Sequence, residues 1–361
     1  MNKKRHVVFI LPAINGGGAE KVVLNLYKAM EEFENCTCHI ISLSNETEYN
    51  IANFDVHFID ALSSINKNGF IKRLLYKSKM ANKIDEFIIN NFGCDSLVLS
   101  NMISSDKVMS KSNLNVYHII HSEYHKTLFF KSSLFKKIKT KINIQRIYKY
   151  HPLIFISNGV KDSFEQIFKQ LNEHIVIYNP IDIDNVISLA NDNIKKIEDN
   201  YIIHIGRFNR VKRHDRLLEE FAKVNTNCKL VLAGSGSLKD KIIKKINELN
   251  IKDKVILLGF KENPYPYLKN SKGLIISSDS EGLPMVILEA MALNVPVLST
   301  DCSAGIRELL GEKSTCLIPM DNIPLISQKI DDMLITPSKY TLKVSSKFTP
   351  KLIAKQYHNL K

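Results

Sequence analysis

No apolar run in this 361-residue chain approaches the roughly 18 residues that a membrane-spanning helix requires. The run Val7–Leu11 is stopped by Pro12 and is too short for the apolar core of a signal peptide. A cytoplasmic protein is expected. Cysteine is also sparse, with six residues at 36, 38, 94, 228, 302 and 316. Only Cys36 and Cys38 are close, and one intervening residue is neither zinc nor redox spacing. They read as small, mostly buried side chains in a reducing compartment. No short internal repeat and no low-complexity tract occurs.

Acid is missing from two stretches. Lys67–Lys83 holds six basic residues and Lys126–Lys149 eight, with no Asp or Glu in either. The net charge of +13 is otherwise shared evenly: residues 1–180 carry 23 Lys/Arg against 16 Asp/Glu, the rest 27 against 21. The segment 126–149 interleaves its cations with apolar residues such as Phe129, Phe130, Leu134, Phe135 and Ile138. Such a stretch either lies on an anionic membrane surface, cations among headgroups and apolar side chains below, or covers the domain's own core. No RNA- or DNA-binding motif accompanies the charge, so nucleic acid is not an expected partner.

With 44% apolar and 24% charged residues the chain is an ordinary globular one, and its length suggests two domains. Short apolar runs alternate with helical periodicity. Val7–Leu11, His39–Leu43, Val56–Ile59, Ser96–Leu99, Val116–His121, Leu153–Ile156 and Ile175–Tyr178 read as strands, and Ala19–Met30 and Met80–Asn91 as helices. The rhythm pauses at Asn179-Pro180, then restarts with strands at Tyr201–Ile205, Lys229–Leu232, Val255–Leu258, Gly273–Ile276 and Val295–Ser299. This predicts α/β architecture with two parallel sheets wrapped by helices and a hinge at Asn179–Asp184. Phe348–Leu360 shows separate helical spacing after Pro337 and Pro350.

Four segments could carry chemistry. Asn15-Gly-Gly-Gly-Ala-Glu20 follows the first strand and opens the first helix, where bare backbone N–H groups and the helix dipole suit a phosphate. The dinucleotide fingerprint would need glycine where Lys21 stands, which weakens a dehydrogenase reading. Gly206-Arg-Phe-Asn-Arg-Val-Lys-Arg213 places four cations after the first strand of the second half, where a diphosphate fits. Glu281 precedes a helix with Pro284 in its first turn, and Glu289 sits about two turns in among apolar neighbours. Ionised carboxylates only accept hydrogen bonds, so vicinal hydroxyls of a sugar or ribose are their natural partners. His121 ends a strand and could hydrogen-bond a substrate hydroxyl, whereas His118 and His125 read as structural and no acid completes a zinc set with them. Asp182-Ile-Asp184 reads as polar loop.

Together these pieces resemble glycosyltransferase family 4, the large retaining group with the GT-B architecture. The elements that carry the resemblance are Gly16-Gly-Gly-Ala-Glu20, the strand ending in His121, Asn179-Pro-Ile-Asp182, Gly206-Arg207 with Lys212, and Glu281 with Glu289 in a Glu-Gly-Leu-Pro context. The resemblance implies two Rossmann-like domains facing across a cleft: residues 1–179 on the acceptor side, 180–340 holding the nucleotide sugar, and a helix in 341–361 returning to the first domain. By similarity, Arg207 and Lys212 bind the diphosphate, Glu289 the ribose, and Glu281 with Gly282, Leu283 and Pro284 the donor sugar. Gly17 and Gly18 would approach the phosphate, His121 the sugar, and Phe260-Lys261 the base. The family needs no cofactor and no metal, and none is expected beyond a nucleotide-sugar substrate, UDP-linked by preference. The implied activity is retaining transfer of a hexose or N-acetylhexosamine to a saccharide or lipid-linked acceptor in surface polysaccharide or lipopolysaccharide synthesis, on the inner face of the cytoplasmic membrane. A nucleotide-sugar 2-epimerase of the same architecture and a catalytically idle nucleotide-sugar-binding protein are the alternatives.

Overall fold

The computed structural model describes residues 4–33, 35–60, 70–124, 133–169, 171–194 and 197–361, with backbone alone for 70–75. His125 and the first residues of the basic stretch 126–149 lie outside these. The chain divides into two compact units, one of Met1–Pro180 with Lys347–Lys361, the other of Ile181–Ser346.

The first unit is built on strands β1 (Arg5–Leu11), β2 (Cys36–Ser42), β3 (Val56–Phe58), β4 (Leu97–Asn101), β5 (Val116–Ile120), β6 (Leu153–Phe155) and β7 (His174–Val176). They form one parallel sheet in the order β3-β2-β1-β4-β5-β6-β7. Fully parallel strands are covered on both faces, so β1 is buried from Val7 to Leu11 and reads as continuous hydrophobe rather than alternation. The helix Phe70–Phe92 lays Met80, Ala81, Ile84 and Ile88 onto Val8, Ile10, Ile41 and Val98. The 80/84/88 spacing is one helical face, and each such burial contributes roughly 1.5–3 kcal/mol. The terminal helix Pro350–His358 packs on the helix Gly18–Glu31 with Ile353, Ala354 and Tyr357 buried. Arg5 from β1 donates to the carbonyls of His358 and Leu360, which satisfies groups that a helix C-terminus leaves open.

The second unit repeats the plan with β8 (Tyr201–Ile205), β9 (Lys229–Ala233), β10 (Val255–Gly259), β11 (Leu274–Ile276), β12 (Val297–Thr300) and β13 (Leu317–Ile318). These are also parallel, in the order β10-β9-β8-β11-β12-β13. The two parallel α/β sheets are those expected. In each sheet the strand order reverses once, between β1 and β4 and between β8 and β11. Loops leaving the carboxyl ends of such strand pairs diverge and open a crevice where ligands bind.

At the junction of the two units a local expectation is overturned. Ile183 and Asp184 are not loop but open the helix Ile183–Leu189, which Asp182 caps, its carboxylate accepting from the Asn185 N–H at 3.0 Å. A short acidic side chain next to open N–H groups is well placed to cap a helix, and composition alone did not distinguish this from a turn.

Candidate functional site

The second unit's reversal point gathers the residues singled out above. The loop after β8 runs from Gly206 to Arg213, and the loop after β11 from Ser277 to Pro284. Backbone and hydroxyl contacts tie them together: the Asp279 N–H donates to Val211 O (2.8 Å), and Ser277 Oγ to Lys212 O (2.8 Å). Ser278 is fixed from the far side, its carbonyl accepting from Thr300 Oγ1 at 2.7 Å.

On this frame Lys212 and Glu281 meet. Lys212 Nζ is 2.6 Å from Glu281 Oε1, which also accepts from Ser278 Oγ at 2.5 Å. Both side chains are largely withdrawn from water, at 22% and 10% exposure, so neither is a solvated surface charge. Arg207 stands exposed five residues earlier on the same loop. The remaining cations divide by role. Arg213 turns to Asp215 and Asp279, Arg216 to Asp279 and the Ser277 carbonyl, and together they brace the loop. The hydrogen bond from Arg213 to Asp215 raises the guanidinium's already high pKa. Arg213 adopts a left-handed backbone (φ 50°) as it enters the helix His214–Phe221, strain that the double ion pair holds in place.

The helix after the second loop begins at Met285, with Pro284 as its cap in extended conformation rather than inside the first turn. Glu289 therefore lies just over one turn in. It is buried at 6% exposure, and Oε1 accepts from Tyr265 Oη at 3.0 Å. Gly282, Leu283 and Pro284, just before the helix, are also buried. Phe260 and Lys261 follow β10, and Lys261 Nζ sits 5.9 Å from the Tyr267 ring centre.

Two glycines that carried no signal in sequence shape this site. Gly234 and Gly236 have φ of 147° and 148°. A Cβ on Gly234 would fall 2.0 Å from the Gly206 carbonyl oxygen, and one on Gly236 2.6 Å from that of Phe208. The loop after β9 thus supports the loop after β8 by backbone contact that only glycine permits. Behind them His204 and His214 are buried edge to face, 4.7 Å between ring centres.

In the first unit the corresponding strand ends carry the other candidates. Gly17 caps the helix Gly18–Glu31, and the Gly16 N–H donates to a Glu48 carboxylate oxygen at 2.8 Å. None of these glycines needs a positive φ, and a Cβ on Gly18 would meet nothing within 4 Å. Neither backbone strain nor internal crowding accounts for glycine at 18. His121 follows β5 and its Nε2 lies 2.9 Å from Asn101 Oδ1. Burial lowers its pKa to about 4, so the ring is neutral at physiological pH. Met102, directly after Asn101, has a left-handed backbone (φ 69°), a strained position at the same carboxyl end of the sheet. His118 is structural: fully buried, with Nδ1 2.8 Å from Asp106, whose carboxylate also accepts from Ser100 and Tyr148.

Chemically the second-unit site pairs fixed positive charge with carboxylates aimed at hydroxyl donors. Residues 188–346 match the family described as Glycosyl transferases group 1. Over 328 residues the chain is 29% identical to the N-acetylgalactosamine-N,N'-diacetylbacillosaminyl-diphospho-undecaprenol 4-alpha-N-acetylgalactosaminyltransferase of Campylobacter jejuni, covering 89% of this chain and 88% of that one. It is 30% identical over 167 residues to the lipopolysaccharide 1,6-galactosyltransferase of Salmonella typhimurium, 45% of each chain. Among solved structures, an Anabaena protein crystallised with UDP and glucose superimposes with a TM-score of 0.71 at 17% identity, covering 98% of this chain and 95% of that one. The fold is that of GT-B glycosyltransferases.

Proposed function

We propose that the chain is a retaining glycosyltransferase that moves a hexose or N-acetylhexosamine from a nucleotide-diphosphate sugar, UDP-linked, to a saccharide or lipid-linked acceptor in surface polysaccharide or lipopolysaccharide synthesis. The observation that carries this reading is the Lys212–Glu281 pair at the strand-order reversal, with Arg207 exposed on the same loop as Lys212 and Glu289 buried on the helix that follows Glu281, in a region that matches the group 1 family. When the bond from sugar to phosphate breaks, negative charge grows on the departing diphosphate and positive charge on the sugar. Cations already fixed at the diphosphate lower that barrier without proton transfer. Lys212 and Arg207 take this role. Glu281, held by Lys212 and Ser278, orients the sugar with the backbone of Gly282–Pro284, and Glu289 accepts from the ribose hydroxyls. Phe260-Lys261 borders the base. Gly17, Gly18 and His121 are ligand contacts on the first unit's own strand-end surface. The acceptor attacks on the face the phosphate leaves, and a phosphate oxygen receives its proton.

Support for a membrane-borne acceptor comes from the basic segment. The helix Leu134–Tyr148 buries only Ile144, Ile147 and Tyr148, while Leu134, Phe135, Ile138 and Ile142 are exposed among lysines 136, 137, 139 and 141. Its first half therefore does not cover the unit's core, and an anionic membrane surface is the proposed partner. No helix among the described residues is long and apolar enough to cross a membrane. The decisive experiment is a panel of UDP- and GDP-sugars scored for free nucleotide with and without a lipid-linked acceptor, with the product anomer read by NMR. Acceptor-dependent UDP release and a retained anomer are expected. Nucleotide release or epimerisation equally fast without acceptor, or no turnover with any donor, overturns the reading.

A further inference from the structure

A second cluster of chemistry-bearing side chains lies at the opposite margin of the first sheet, on β2 and β3. His39 Nδ1 is 2.5 Å from Asp55 Oδ2, and His57 Nε2 is 3.1 Å from Asp55 Oδ1. The ligand atoms of all three residues lie within 4.8 Å of one another. β2 and β3 run parallel with Ile41 opposite His57, so His39 and His57, two steps of register apart, share one face of the sheet, and the chain enters β3 directly from Asp55. The exposure grades from 7% for His39 through 32% for His57 to 47% for Asp55, which gives a buried floor and an open mouth.

Three features favour an ion over a simple charge pair. The His57 Nε2 nitrogen is buried and lacks hydrogen-bond geometry to any partner despite its nearness to the carboxylate. His6 on β1 places Nδ1 2.9 Å from the other ring nitrogen of His39. In the tautomer in which His39 Nε2–H donates to His6, the Nδ1 lone pair of His39 is free to bind a cation held against the Asp55 carboxylate. Outer partners of this kind fix the tautomer of metal-bound histidines. Phe92 stacks on the His39 ring at 3.7 Å and sets its plane.

We propose that His39 Nδ1, Asp55 and His57 Nε2 bind a divalent transition ion of the zinc class, with His6 as the residue that positions His39. Two imidazoles and a carboxylate suit zinc, and three protein ligands leave a fourth position for water. Zinc–nitrogen bonds of ordinary length set ligand atoms about 3.3 Å apart, so the two short contacts open by less than an ångström on binding. The site joins β3, the edge strand, to β2, and its role is to fasten that edge rather than to serve the transfer reaction; it stands independently of the proposed activity.

The test uses tag-free full-length protein stripped with chelator, then titrated with Zn²⁺ by calorimetry and with Co²⁺ by visible absorption. One ion per chain is expected, with the intense cobalt bands of a tetrahedral site and a Tm that rises with zinc. His57→Ala and Asp55→Asn should each weaken binding tenfold or more. The second keeps the side-chain shape, so a folded variant is available if the first fails. Absence of saturable binding, a cobalt spectrum like that of the aqueous ion, or unchanged affinity in a folded Asp55→Asn variant overturns the assignment.

Discussion

Lys212 Nζ rests 2.6 Å from Glu281 Oε1, joining the loop after β8 to the loop after β11 through one charge-assisted hydrogen bond. The contact makes each residue part of the other's environment, and their substitutions should not be additive. Lys212→Met removes a cation from the proposed diphosphate site and leaves Glu281 with Ser278 alone. Turnover should fall by about 10²–10³. Stability should fall by only about 1–3 kcal/mol, since the pair is not fully buried. Arg207→Ala, on an exposed side chain, should lower kcat by a similar factor with Tm unchanged and donor binding little affected. Steady-state kinetics beside a thermal melt separates these outcomes, and an unchanged kcat in Arg207→Ala removes that residue from the mechanism.

Glycines 18 and 234 should respond in opposite ways to alanine. At Gly234 the new methyl would lie 2.0 Å from the Gly206 carbonyl oxygen at a φ of 147°. The loop carrying Arg207 and Lys212 must then move, and stability should drop by about 2 kcal/mol or more. At Gly18 the methyl meets nothing within 4 Å, in a helix. Gly18→Ala should leave Tm equal or slightly raised, by about 0.5 kcal/mol of stability. Its activity should nonetheless fall at least severalfold, because the proposed function brings a ligand up to this glycine. Full activity in a folded Gly18→Ala variant would show that the position is free to vary.

Much of this arrangement could be read from the sequence because its signals are local. Continuous apolar runs bounded by polar residues located nearly every strand, with errors of up to three residues at the ends. The cation-rich loop and the two glutamates stood out because charge beside Val286, Ile287 and Leu288 demands an explanation. What escaped depends on tertiary contact. β13 is two residues long and has no period. The helix Met102–Met109 starts directly after β4, with a left-handed Met102 in place of any Gly or Pro marker. Gly234 and Gly236 look like a plain turn until the carbonyls they approach are known. His39, Asp55 and His57 are spread over 19 positions, and only strand register unites them.

The buried pair His204 and His214 should make folding sensitive to mild acid. The His204 Nδ1–H donates to the Ile275 carbonyl at 2.8 Å, and neither ring nitrogen of His214 has a partner among the described residues. Burial, with a lesser push from Lys212, lowers His204 from 6.5 to about 4. Burial, with His204 and Lys212 adding to it, lowers His214 to about 2. Both folded values lie below the unfolded one, so the unfolded chain binds the extra protons. Stability is therefore intact above pH 6.5 and declines as pH falls below it. The His204 contribution levels off near pH 4. Each histidine adds a slope of about 1.4 kcal/mol per pH unit. Urea unfolding at about pH 7 and about pH 5 should show the loss, and a folded His204→Gln variant should show a shallower dependence. Equal slopes in the two proteins would place the acid sensitivity elsewhere.

The exposed half of the helix Leu134–Tyr148 predicts salt-dependent membrane binding. Leu134, Ile138 and Ile142 recur at intervals of four with Phe135 beside them, all more than 40% exposed, and lysines 136, 137, 139 and 141 flank the stripe. Each lysine near an anionic surface contributes about 1 kcal/mol, an attraction that salt screens over about 10 Å at 0.1 M. The apolar side chains add a term that salt does not weaken. Cosedimentation with vesicles rich in anionic lipid should therefore be strong at low salt and reduced, not abolished, at high salt. Replacing Leu134, Phe135 and Ile138 by serine should remove the salt-resistant part and leave the fold intact, since none of the three is buried. Transfer to a water-soluble acceptor analogue should be unaffected in that variant, while transfer to a lipid-linked acceptor in vesicles should fall. Wild-type protein that stays in the supernatant at low salt would instead direct the search to soluble acceptors and leave the stripe without a membrane role.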